Sequence, residues 1–76
     1  PASVVTVDGV RANSPITNTA EVPIVVSAVS TATAAKPTSV ILNPDDVVTN
    51  TFGASVRLEN KDAVNAAECT VRVTAP

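Results

Sequence analysis

Three places in this 76-residue chain gather side chains that could do chemistry. Asp45 and Asp46 are adjacent carboxylates. Neighbouring side chains of a strand point to opposite faces, so the two do not converge as an acid–base pair. The D-x-[DN]-x-[DN]-G spacing of a calcium loop is also absent, which leaves solvated turn or cap residues. Asp62, Asn65 and Glu68 bring several oxygens together within the polar joint Asn60–Glu68, enough to conceive a weak cation site. Lys61 sits among them and no ligand motif is matched, so the joint reads as a polar hairpin loop able to touch a partner. The third place is Pro1, the first residue of the sequence.

Pro1, the strand-like run Val4 to Val7, Arg11 and the later Thr38 to Leu42 resemble the tautomerase superfamily over about half the chain. In that family an N-terminal proline is the general base and a nearby arginine holds the substrate carboxylate. The resemblance thus implies Pro1 and Arg11 in those roles. The family also needs an amphipathic helix between the arginine and the second strand. Here that interval contains Pro15, Pro23 and many β-branched residues, and a proline inside a helix costs about 3 kcal/mol. An N-terminal-proline tautomerase-like enzyme is therefore the third reading.

Other chemistry lacks its residues. There is no His or Tyr and one Cys, so most nucleophilic triads are excluded, as is a zinc or iron site built on soft ligands. With only Gly9 and Gly53, no loop can cradle a phosphate. The expectation is no enzyme, no metal and no cofactor.

Composition points to a different way of working. The apolar 45% is mostly 15 Val and 12 Ala, with two Leu, three Ile and the single aromatic Phe52. A chain this short buries about 60% of its unfolded surface, and small domains usually add a disulfide, a metal or association. Cys69 is alone, so no internal disulfide forms; a small buried hydrophobe is its plainest role. Association remains. The net charge of −2 is spread along the chain and forms no basic face for nucleic acid. The longest apolar run, residues 22–29, is far short of the ~20 residues of a membrane span.

The elements follow from Val and Thr patterning, one domain over 1–76. Asp8-Gly9 predicts an N-terminal hairpin that pairs Val7 with Val10 and Val5 with Ala12. Residues 22–29 and 39–43 read as further strands, with Pro23 at a strand start or edge. Asn43-Pro44-Asp45-Asp46 resembles a helix start, but the β-branched residues after it favour a turn into a strand. Val56 and Leu58, then Cys69, Val71 and Val73, alternate with polar residues, predicting a final hairpin. No internal repeat stands out. Residues 30–38, small and unpatterned, predict a mobile loop or arm.

The fold class expected is all-β: a small antiparallel β-sandwich or partly open barrel of 5–7 short strands, Ig-like in character. Val5, Val7, Ile24, Val26 and Ile41 are expected in the core or at interfaces. So are Phe52, Val56, Leu58, Val71 and Val73. Thr31, Thr33, Lys36 and Pro37 are candidates for partner contact. The leading functional expectation is a non-enzymatic structural or assembly protein, a small capsid or capsid-decorating virion subunit. Its partners would be copies of itself or a host surface such as a capsid shell, without nucleic acid or a membrane span. Residues 54–76 also look like the last two strands of immunoglobulin-like modules, which gives the alternative: an interaction or adhesion module of a larger bacterial surface or virion protein. Either places it in a virion or at an extracellular surface.

Overall fold

The computed structural model describes residues 2–29 and 39–65, and the backbone of residues 71–73. Within these the chain is all-β, with no helix. The strands are β1 Ser3–Val7, β2 Pro15–Asn18, β3 Ile24–Ala28, β4 Ser39–Leu42, β5 Val47–Thr49, β6 Val56–Asn60 and β7 Val71–Val73. They form two antiparallel sheets, one in the order β1-β6-β3-β4 and one in the order β5-β2-β7. The expected arm at 30–38 lies outside the described residues.

One apolar cluster joins the two sheets. Ile24, Val26, Leu42, Val56 and Leu58 supply it from the four-stranded sheet, and Ile16 from the three-stranded one. Val10, Ala20 and Val22 reach it from the connections, while Val7, Val40, Val48 and Phe52 pack on its rim. Strict alternation places these residues. In β6 Val56, Leu58 and Asn60 are buried and Arg57 and Glu59 are half-buried, as the period of two requires. Each fully buried Val, Ile or Leu contributes about 1.5–3 kcal/mol, so even a core with one aromatic can hold a small domain.

Both expected hairpins are replaced by longer-range pairings. Asp8-Gly9 does not turn β1 back on itself. β1 pairs instead along its whole length with β6, from Ser3 opposite Asn60 to Val7 opposite Val56. Gly9, at φ 72°, lets the chain leave β1 so that Val10 enters the core and its N–H donates to the Ala54 carbonyl at 2.9 Å. A two-stranded hairpin with a three-residue second arm is marginal alone, and β6 offers five partners, four of them already paired with β3. The second hairpin fails in the same way: β7 pairs with β2, Ile16 opposite Val73, and not with β6.

An internal repeat, unmarked by composition, organises the centre. Thr17-Asn18-Thr19 recurs 32 positions later as Thr49-Asn50-Thr51. The sheets are registered on the same interval: Ile16 faces Val48 between β2 and β5, and Val26 faces Leu58 between β3 and β6. When a residue faces its own counterpart across an antiparallel pair, a local two-fold axis passes between them. The hydrogen bonds obey this symmetry. Asn13 N–H donates to the Asn50 carbonyl (2.9 Å) as Asp45 N–H does to that of Asn18 (2.8 Å). Asn50 N–H donates to the Ser14 carbonyl (2.8 Å) as Asn18 N–H does to that of Asp46 (3.0 Å). Residues 10–28 and 42–60 are thus two copies of one turn–strand–bend–strand unit, clasped about a pseudo-two-fold.

Candidate functional site

Among the described residues the buried polar ones lie at or beside element ends, and three of the four are asparagines: Asn18, Asn50 and Asn60, with Ser14. Each asparagine ends or follows a strand and pins the bend after it. Asn18 Oδ1 accepts from Ala20 N–H at 2.9 Å, Asn50 Oδ1 from Phe52 N–H at 3.0 Å, and Asn60 Oδ1 from Asp62 N–H at 3.0 Å. Their side-chain amides donate outward. Asn18 reaches the carbonyls of Val22 and Leu42, both at 2.9 Å, and Asn50 those of Arg11 (2.9 Å) and Gly53 (3.0 Å). Asn60 donates to the Asn65 carbonyl at 3.0 Å. A turn must leave its sheet without stranding backbone groups, and one asparagine satisfies three of them. Asn60 opens the polar joint singled out in the sequence, whereas Asn18 and Asn50 match no catalytic motif. The signal available was Thr-Asn-Thr occurring twice.

Asp45 and Asp46 belong to the Asn43–Asp46 turn, closed by Asp46 N–H donating to the Asn43 carbonyl at 2.9 Å. Pro44 at the second position and Asp45 at φ 71° at the third make it a type II turn. Asp46 Oδ2 accepts from Asn43 N–H at 3.0 Å, so one carboxylate braces the turn and the other is solvated. The repeat equivalent is Arg11–Ser14, with Asn13 at φ 64°.

In the Asn60 joint the Asp62 carboxylate serves the loop itself. Its Oδ1 accepts from the N–H groups of Val64 and Asn65, both at 2.9 Å, and its Oδ2 from the Asn65 side-chain amide at 3.2 Å. The Asn65 N–H, then that of Val64, then the Asn65 amide hold its pKa below the ordinary value. Glu68, the remaining oxygen donor of that joint, lies outside the described residues, as does Pro1. Arg11 is exposed, and its carbonyl accepts from Ser14 Oγ (2.7 Å) and the Asn50 amide. Among the described residues there is no enclosed pocket, and no three His, Cys, Asp or Glu converge. No helix there is long and apolar enough to cross a membrane.

The expected core residues divide. Ile24, Val26, Val56 and Leu58 are buried in the central cluster, and Val7 and Phe52 pack against it. Val5 and Ile41 lie outside the core, at 42% and 65% exposed, which leaves the interface half of their assignment. Ile41 faces outward because its strand neighbour Leu42 takes the inward position. Val5 shares the inward side with Leu58, but on an edge strand it is only partly covered. Of Val71 and Val73 only the backbone is described. Thr31, Thr33, Lys36 and Pro37 lie outside the described residues.

Two surfaces remain as candidates for contact. On the outer side of the four-stranded sheet, Val4, Glu59, Val25 and Ile41 form one cross-strand row, and Thr6, Arg57, Ser27 and Ser39 the next. Arg57 and Glu59 are paired along β6 on that face at 3.0 Å, a partly exposed bridge of small worth. The other surface is the strand edges. β1 (SVVTV), β4 (SVIL) and β5 (VVT) each border a sheet and contain no charge and no proline. Proteins usually blunt such edges with Lys, Pro or a bulge; here, apart from Arg72 on the fourth edge strand β7, the strand charges are Arg57 and Glu59 on the interior strand β6. Comparison with known proteins finds no matching family model, no matching curated protein and no matching solved structure.

Proposed function

We propose that this chain is a non-enzymatic structural protein that works by joining its β-surfaces to other protein surfaces, as a small capsid or capsid-decorating subunit of a virion does. The observation that supports this is the distribution of charge among strands. Three of the four edge strands are neutral and rich in Val and Ile, the fourth, β7, containing Arg72, while the Arg57–Glu59 pair occupies an interior strand. A solitary soluble domain gains from the reverse arrangement. Val4, Ile41 and Val47 add exposed apolar surface at 50%, 65% and 59%. At roughly 25 cal/mol per Å², burying it at an interface adds to the stability of a small aliphatic core. The virion or an extracellular surface is the setting this reading implies. Light scattering across a concentration series tests it: a discrete oligomer or particle is expected, and a folded monomer throughout would remove it.

A second reading, a β-sandwich module of immunoglobulin-like character within a larger surface protein, is favoured by one feature of the strand order. In immunoglobulin domains the second and fifth strands are neighbours in one sheet, and the third and sixth in the other. β2–β5 and β3–β6 have that relation. The outer strands depart from it, since the last strand there pairs with the sixth, whereas here β1 holds that position and β7 sits beside β2. A chain that folds as a monomer with cooperative unfolding would favour this reading over the first.

A further inference from the structure

The pseudo-two-fold exposes a gap in the three-stranded sheet. In the four-stranded sheet both members of the central pair are flanked, β6 by β1 and β3 by β4. In the other, β2 is flanked by β7, and the equivalent position beside β5 has no strand among the described residues. The two edges are nonetheless alike, Ile16-Thr17-Asn18 on β2 and Val48-Thr49-Asn50 at β5. Asp46 and Asn50 use their backbone groups on β2, so by alternation those of Val47 and Thr49 point away from it, toward the gap. Val47 is 59% exposed, and the strand, though only three residues long, contains no charge and no proline.

We infer that the free edge of β5 is a homodimer interface, where β5 of a second copy pairs antiparallel about a two-fold at Val48. This rests on the assembly reading above and names its surface. The molecule already shows that this strand pairs antiparallel with its own repeat, since β2 lies against β5 with Ile16 facing Val48. Centred on Val48, the new pairing sets Val47 of each copy against Thr49 of the other, so both outward N–H and C=O groups on each strand are satisfied. Asp46 then falls opposite Asn50, and no carboxylate directly faces another. The isologous contact closes on itself and joins two three-stranded sheets into one of six.

The test is the mass of the full chain in solution by light scattering, with circular dichroism on the same samples. It compares the wild type with Val47→Lys, Thr49→Pro and the outer-face control Ile41→Lys. Val47 and Ile41 are exposed, so lysine there leaves the fold intact; Thr49→Pro removes an edge donor that the fold does not use. The expected result is a wild-type dimer kept by Ile41→Lys, with the dissociation constant raised at least about tenfold by Val47→Lys and Thr49→Pro at unchanged strand signal. An oligomer indifferent to both β5 substitutions overturns this inference and leaves the assembly reading standing. An oligomer broken by Ile41→Lys instead moves the interface to the four-stranded sheet and overturns it as well. A monomer at every concentration overturns both.

Discussion

Asn18 and Asn50 stand 32 positions apart and pin their bends in the same way, but Asn18 ends an interior strand and Asn50 follows an edge strand. All three side-chain hydrogen bonds of Asn18 are buried, while those of Asn50 are partly open to solvent. The residues after them diverge accordingly. Ala20 and Val22 are buried in the core, whereas Phe52 is half-covered and Ala54 exposed. A repeated local plan therefore yields unequal energetics once the flanking strands are unequal. The same amide should be worth more where water cannot replace its partners.

The largest expected effect tests that inequality directly. Asn18→Ala leaves Val22 and Leu42 carbonyls and the Ala20 N–H without their partner, and urea unfolding should show a loss of about 4 kcal/mol. Asn50→Ala should lose about 2 kcal/mol, because water reaches the groups it abandons. Equal losses would break the comparison. Next come the residues on the pseudo-axis. Ile16 is fully buried and Val48 only partly, so Ile16→Ala should cost about 3 kcal/mol and Val48→Ala about 1 kcal/mol. A Val48→Ala loss as large as that of Ile16→Ala would mean the edge strand is covered as well as the interior one.

The two type II turns should respond alike, which sharpens the symmetry. Asn13 and Asp45 both hold positive φ, and glycine takes that conformation without steric cost. Asn13→Gly and Asp45→Gly should each raise stability by about 0.5 kcal/mol. A gain at one and a loss at the other would mean the turns are not equivalent. The smallest effect concerns the third asparagine bend, which follows Asn60 at the end of the second repeat. The Asp62 pKa is lowered by folding, so its contribution is present above the unfolded value and is lost as pH falls through the lower folded one. An NMR titration should place the Asp62 midpoint below that of an unfolded peptide, with the Val64 and Asn65 amides shifting together. A midpoint at the unfolded value would show those hydrogen bonds unmade.

The all-β class and several strand segments were legible because period-two alternation is a local signal. Val56 and Leu58, alternating with Arg57 and Glu59, declare their buried side without knowledge of any partner. Partner choice was not legible. Asp8-Gly9 is a strong hairpin signal, yet β6 outbid the short arm after Gly9 through contacts some fifty positions away in sequence. Ile41 looked like core because Val40, Ile41 and Leu42 are all apolar, and only the register with Val25 decides which of them faces out. The asparagine bends were hidden for a different reason. Asn is common in ordinary turns, and its burial depends on which strands surround the turn.

The measurement that most directly tests the clasped-repeat account is a set of cross-strand NOEs on the isotope-labelled chain. The account predicts backbone contacts between the strands on either side of Ile16–Val48 and Val26–Leu58, and between Val5 and Leu58, within one cooperatively folded species. Contacts between Val7 and Val10, or between β6 and β7, in place of these would restore the two local hairpins and contradict the pseudo-two-fold.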